Sequence, residues 1–586
     1  MSKFTNGNSE LPPSNADVQH NGNGGSDAVM SPPMHSSDTA SRRIDDPSLS
    51  SETQSEEDYD ENFRPNIISA LDSQRQRSNG HKKDIIQHPD GASAQSSSRG
   101  GNSTSDSSSS VGLSRNKPAS RTNKHQKFKD FVFTRQVSTF DAQSEAAVNS
   151  PFHGFYNLFW LSVALLICKI SANNWRAYGN LLGPSDILRT MFHRDVIVLL
   201  LSDGIMCGLT AVTWCLQKLV LLNIINWDRE GWIIQHIWQA CFIAGTVKWT
   251  VYRDWPWTHT VFFVLHALVM LMKQHSYAFY NGYLSTIHRR RQLLLEKLKK
   301  LEFIDCSGDA AVRSASNQSG TSSPTEEHAG IHTILKTIDT SKTLDHTQVY
   351  MFERVLKEEV DTLGDELRGT SSRPSRAYPH NLTFLKHYQW IPLPTVVYEL
   401  EYPRLERINW AYVAEKLAAM IGIIFVMIQV SQHYIYPVVL VTIEMRENNM
   451  PLAARFNEFP WLLGDLLFPF MMEYLLTWYL IWETVLNILA ELTYFADRHF
   501  YDAWWNSVSW DQFARDWNRP VHIFLLRHVY HSSISSLKVN KHTATIITFF
   551  LSACVHEFIM WCIFKRLRGY LLVLQMCQLP LMSILG

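Results

Sequence analysis

The chain has 586 residues, with 54 Lys and Arg against 55 Asp and Glu, and a formal net charge of −1. A balance this close to zero excludes the usual nucleic-acid binder, which carries a strong basic excess. No charged n-region with a short apolar core opens the sequence, so no cleavable signal peptide is expected.

Residues 1–125 are rich in Ser, Asn, Gly and Asp, as in "SAQSSSRGGNSTSDSSSS" (93–110). Such a segment cannot bury enough apolar surface to offset its ordering entropy, so a disordered cytosolic N-terminal region is expected there. A single membrane domain is expected over 126–586. A spanning helix needs about 20 mostly apolar residues. Eight windows approach that length: 155–170, within 195–223, 232–252, 257–272, within 410–430, 461–489, 544–564 and 571–585. The expected fold class is therefore all-α, a polytopic bundle of about eight spanning helices. A polar loop over 288–400 separates the fourth window from the fifth, and within it 347–367 reads as a surface helix. None of the eight cysteines forms a CxxC pair, and seven sit in apolar runs. They read as small buried hydrophobes.

Basic residues flank the membrane on the cytosolic side. Arg115, Lys117, Arg121, Lys124, Lys127 and Lys129 precede the first window; Arg289, Arg290, Arg291, Lys297, Lys299 and Lys300 follow the fourth. Four crossings return the chain to its starting side, and two more bring "FADRHFYDAWWNSVSW" (495–510) there too.

In that stretch, Phe495, Phe500, Tyr501, Trp504, Trp505 and Trp510 suit the headgroup zone, and a plain interfacial anchor would explain them. Asn506 adds an amide able to donate to a carbonyl oxygen gaining negative charge. In the seventh window, Thr545, Thr548, Ser552 and His556 recur at three- and four-residue spacing, so they share one helix face. Two readings follow. The stripe lines a polar cavity, or the histidine bonds a nearby carbonyl while the hydroxyls bond back to their own helix. Entering at residue 543, His556 lies ~20 Å deep, past the middle of a ~30 Å core. "HEFIM" lacks the second histidine of a zinc-peptidase motif, and Cys554 points to another side of the helix. Neither a metal site nor a Cys–His pair is expected. A neutral imidazole base and an amide donor, 50 positions apart, form a minimal kit for acyl transfer.

"FYDAWWN" (500–506) resembles the FYxDWWN signature of the sterol O-acyltransferases, within the membrane-bound O-acyltransferase superfamily. "HE" at 556–557 resembles that superfamily's essential histidine and its acidic neighbour. "HSYAFYNGYL" (275–284), "YELEYPR" (398–404), "FADR" (495–498) and "DWNRPVHIFLLRHVYHSS" (516–533) extend the resemblance over roughly 150–586, the last with a fungal cast. The resemblance implies an endoplasmic-reticulum enzyme, dimeric or larger, that esterifies sterols with long-chain acyl groups from acyl-CoA. It implies His556 and Asn506 as catalytic residues, with Tyr501, Trp504, Trp505, Ser552 and Glu557 toward the substrates. Acyl-CoA is then a substrate, and no bound cofactor is expected. Rival readings are the same chemistry on diacylglycerol, or a transporter or lipid receptor. Two departures stand out. Ala503 occupies the motif's acidic position, with Asp502 one place earlier. The chain also ends at Gly586, so that one C-terminal helix of the family is expected to be missing.

Overall fold

The computed structural model describes residues 131–141, 144, 153–183, 195–302, 331–339, 346–371 and 373–580. The expected disordered region 1–125 and residues 303–330 of the expected polar loop lie outside these residues. Among the described residues the fold is all-helical, with two isolated bridges and no strand longer than one residue.

In chain order the main helices are α1 (His153–Tyr178), α2 (Val196–Leu209), α3 (Ala211–Leu221), α4 (Trp232–Arg253) and α5 (Trp257–Glu302). They continue with α6 (His346–Arg368), α7 (Trp410–Val430), α8 (Tyr436–Glu447), α9 (Leu452–Trp478), α10 (Leu486–Leu492), α11 (Lys541–Phe564) and α12 (Tyr570–Met576). Local chemistry sets several ends. Asp254 takes a left-handed conformation, φ +47°, and turns α4 into α5. The side chains of Asn409 and Asn540 accept from Tyr412 N–H and Thr543 N–H, capping α7 and α11. Wide π turns at Ser431–Ile435 and Tyr479–Val485 join α7 to α8 and α9 to α10 without interrupting the rods.

Among the described residues, five stretches are long and apolar enough to cross a membrane: Asn157–Tyr178, Val196–Leu221, Trp410–Glu447, Leu452–Leu492 and Lys541–Phe564. Many of their large apolar side chains face outward, Leu200, Leu201, Ile205 and Phe468 among them, as lipid contact requires. The third and fourth windows form α4 and α5 but are less apolar, because their polar residues meet inside the bundle. Trp238 donates to Gln274 at 2.7 Å, Thr213 donates to the same oxygen at 3.0 Å, and Gln235 donates to Thr213. Of the eighth window, residues 571–580 are described, and they lie in the short apolar helix Tyr570–Pro580.

Two expectations are corrected. The region 288–400 is not a simple loop. Its basic opening continues α5 to Glu302, and buried Leu294 and Leu301 join the same apolar core as Leu356, Val360 and Leu363 of α6. Arg290 bonds Glu359 across this pair at 2.7 Å. Among the described residues the cysteines are free, but Cys168, Cys215, Cys241 and Cys577 are exposed rather than buried, and only Cys562 is classed as buried. A small apolar side chain on a spanning helix can face lipid as readily as protein.

Candidate active site

Three of the quoted motifs fold into one buried cluster. On α5, Ser276 accepts the Tyr398 N–H at 2.8 Å and pairs with His528 Nε2 at 2.9 Å. Asn281 accepts from Asn381, which also reaches the Tyr398 hydroxyl. Arg527 donates to Glu399 at 2.6 Å and lies over the Tyr280 ring. Segments near 276–281, 398–402 and 519–528 are thus locked by side chains that are all buried. Burial pushes the Tyr398 phenol up to about 12 and His522 down to about 4, so both stay neutral near pH 7.

The fourth motif, 495–498, is held by backbone on two sides. Ala496 N–H donates to Pro403 O and Ala496 O accepts from Gln136 N–H, both at 3.1 Å. Arg498 N–H returns a bond to Gln136 O, and the Arg498 side chain pairs with buried Glu491. Residues 131–141, which precede the first span, therefore lie against the motif loop. Burial raises the Asp497 carboxyl above its usual range, opposed by N–H donors from His499 and Thr134.

From this anchor the chain enters residues 500–506. Asp502 bonds Arg519 at 2.5 Å and His499 at 2.9 Å, and its N–H donates to Asp516 O. Burial alone would push its carboxyl up, but His499 and Arg519 together hold it low. The carboxylate that ties this loop to 516–519 thus comes from Asp502, beside Ala503. Tyr501 is fully buried and donates to Glu483 at 2.6 Å; burial, then the Glu483 charge, push its phenol far above the ordinary value. Trp504 packs edge-on to Trp478 at 5.1 Å, and Trp505 sits against Phe140 at 5.7 Å. A single 3-10 turn, Trp504–Asn506, then presents Asn506 at the surface, its N–H closing on Ala503 O at 2.9 Å. Below it, Trp478 Nε1, Trp504 Nε1 and Ser507 Oγ are buried with no hydrogen-bond partner among the described residues.

His556 lies on α11, half-buried. Its Nδ1 is 2.7 Å from the Ser552 carbonyl oxygen, while Thr545 and Thr548 bond the carbonyls of Lys541 and Ala544. The stripe thus bonds back to its own helix. A carbonyl only accepts, so Nδ1 carries the hydrogen and a neutral ring has its lone pair on Nε2. Glu557, one residue on and buried, accepts the N–H groups of Arg568, Gly569, Leu571 and Leu572, fixing the entry to α12. A cavity of about 650 Å³ between α4, α5 and α11 is lined by His236, Gln239, Phe558 and Trp561, on a different flank of α11 from His556. A small one beside 131–136 is lined by Asp497, His499 and Arg519. Neither of these two cavities is lined by His556 or Asn506.

The family profile described as MBOAT, membrane-bound O-acyltransferase family, matches residues 331–584. The chain is 34% identical to the probable sterol O-acyltransferase 1 of Schizosaccharomyces pombe over 457 residues, 78% of this chain and 80% of that protein. The chain belongs to the membrane-bound O-acyltransferase family. It is a multi-pass membrane enzyme, an acyltransferase, and the transporter and receptor readings fall away. Sterol O-acyltransferase 2 of Candida albicans is 35% identical over 78% of this chain, bearing out the resemblance to the fungal sterol O-acyltransferases. Diacylglycerol O-acyltransferase 1 of Dictyostelium discoideum matches at 31%, over only 33% of the chain.

Of the residues singled out in the sequence, Tyr501, Trp504, Trp505 and Asn506 share one loop, and Ser552, His556 and Glu557 one helix turn. The sequence reading missed Glu483, Lys416 and Asp141, which are buried around Tyr501. A signal was present for two of them. Lys416 and Glu483 are ionisable residues inside apolar windows, which marks them for paired or functional roles.

Proposed function

We propose that this acyltransferase moves a long-chain acyl group from acyl-CoA to the 3-hydroxyl of an ergosterol-like sterol, making steryl esters in the endoplasmic-reticulum membrane. His556 is the general base. The observation that carries the reading is the Nδ1–H bond to Ser552 O, which leaves Nε2 as the basic nitrogen. Nε2 takes the hydroxyl proton as the alcohol oxygen attacks the thioester carbonyl. The carbon–sulfur bond breaks, and the CoA thiolate leaves and takes up the proton. Asn506 donates to the carbonyl oxygen as it gains charge. Trp504, Trp505 and Ser552 face the acyl and sterol groups; Tyr501 and Glu557 support the loop and the helix from behind. The chain works as a homo-oligomer and uses acyl-CoA as substrate, with no bound cofactor.

The test supplies purified protein with labelled oleoyl-CoA and either ergosterol or diacylglycerol. Label in steryl ester supports the proposal. Label only in triacylglycerol moves the acceptor to the rival lipid, and no ester with either overturns both.

A further inference from the structure

Behind the motif loop lies a polar network deep in the protein. The π turn Tyr479–Val485 carries Glu483, which is fully buried. One of its oxygens accepts from Lys416 Nζ at 2.5 Å, and the other from the Tyr501 hydroxyl at 2.6 Å and from Asn487 at 3.3 Å. Lys416 also lies 3.6 Å from Asp141, which accepts the Tyr412 hydroxyl. The Tyr501 oxygen in turn accepts the Phe140 N–H at 3.2 Å. Ser138 bridges Asn487 and the Arg498 carbonyl. Two carboxylates thus share one ammonium, and the group they brace is a tyrosine five residues before Asn506.

π turns recur where a helix must aim a functional side chain, and buried ionisable groups in spans persist for a role. The charged, hydroxyl and amide side chains of this network are all buried. We infer that Glu483 is a positioning residue for the acyl-transfer site. Held by Lys416 and, through it, by Asp141, it fixes Tyr501 and so the 3-10 turn that presents Asn506. The inference rests on the proposed role of Asn506 as carbonyl donor.

The test is a double-mutant cycle in the full chain: Glu483→Gln, Tyr501→Phe and the pair, assayed with oleoyl-CoA and ergosterol. Each single change should lower kcat about tenfold, as loss of a supporting residue does, with KM for oleoyl-CoA little changed. The pair should be no worse than either single, because both act through one contact. Effects that multiply, or turnover that falls only as far as protein abundance does, would overturn the inference. If Glu483→Gln does not accumulate, Tyr501→Phe decides alone. A tenfold lower kcat at normal abundance supports positioning, and wild-type kcat overturns it. His556→Ala is run alongside. If it retains turnover, the catalytic reading itself fails. If it is inactive while Tyr501→Phe and Glu483→Gln turn over normally, only the positioning inference fails.

Discussion

At the scale of single residues, chemistry concentrates in atoms left available by the hydrogen bonds around them. His556 has one ring nitrogen committed to Ser552 O. His556→Ala should therefore lower esterification by ~10²–10⁴-fold at unchanged abundance, the usual worth of a general base. Turnover of oleoyl-CoA into ester, normalised to protein, checks it. Asp502 supports a different prediction. Its carboxylate already joins Arg519 and His499. An acid placed next door by Ala503→Asp finds Arg519 engaged, so activity should stay within about twofold of the parent, whereas Asp502→Ala should lose about tenfold by freeing the loop. Gain of activity in Ala503→Asp would show that the departure at this position costs function. The aromatic character of this loop was legible in sequence, as were the imidazole and the amide. The partners were not: Arg519 is 17 residues from Asp502, and Ser138 is 349 from Asn487. Nothing in local composition links such positions.

At the scale of elements, apolar windows were the readable part because a span's length and hydropathy are local properties. Among the described residues, all eight windows are helical. The sequence reading failed where helices are polar on one side. The stretch 288–300 looks like a loop by charge, yet its leucines continue the periodicity of α5 and pack with α6. The motif glycine Gly282 also has an element-level cause. A Cβ there would lie 2.0 Å from the ring of Trp227, which is buried at the π turn before α4. Gly282→Ala should destabilise the protein by at least ~1–3 kcal/mol, the cost of an overpacked core, seen as a lower melting midpoint in detergent. Trp227→Leu introduced with it should recover most of that loss. A single Gly282→Ala variant that melts with the parent would mean that the ring is free to move.

At the scale of the whole molecule, the site is assembled from segments at opposite ends of the chain. Residues 131–141 precede the first span, yet they bond Glu399, Ala496, Asp497, Arg498 and Tyr501, and Phe140 packs on Trp505. The segment before the first span and the motif loop must share one face of the membrane to touch. The described contacts of this segment begin at Phe131. A chain starting at residue 126 keeps all of them, and one starting at 142 loses them together with the Asp141 contacts to Lys416 and Tyr412. Removing 1–125 should leave specific activity within about twofold of the full chain, while removing 1–141 should cost about a hundredfold or more even where the protein still elutes as a single species in detergent. Equal activity from both truncations would show that the loop keeps its shape unaided. Loss on removing 1–125 alone would place a required element upstream of the segment whose contacts are seen here.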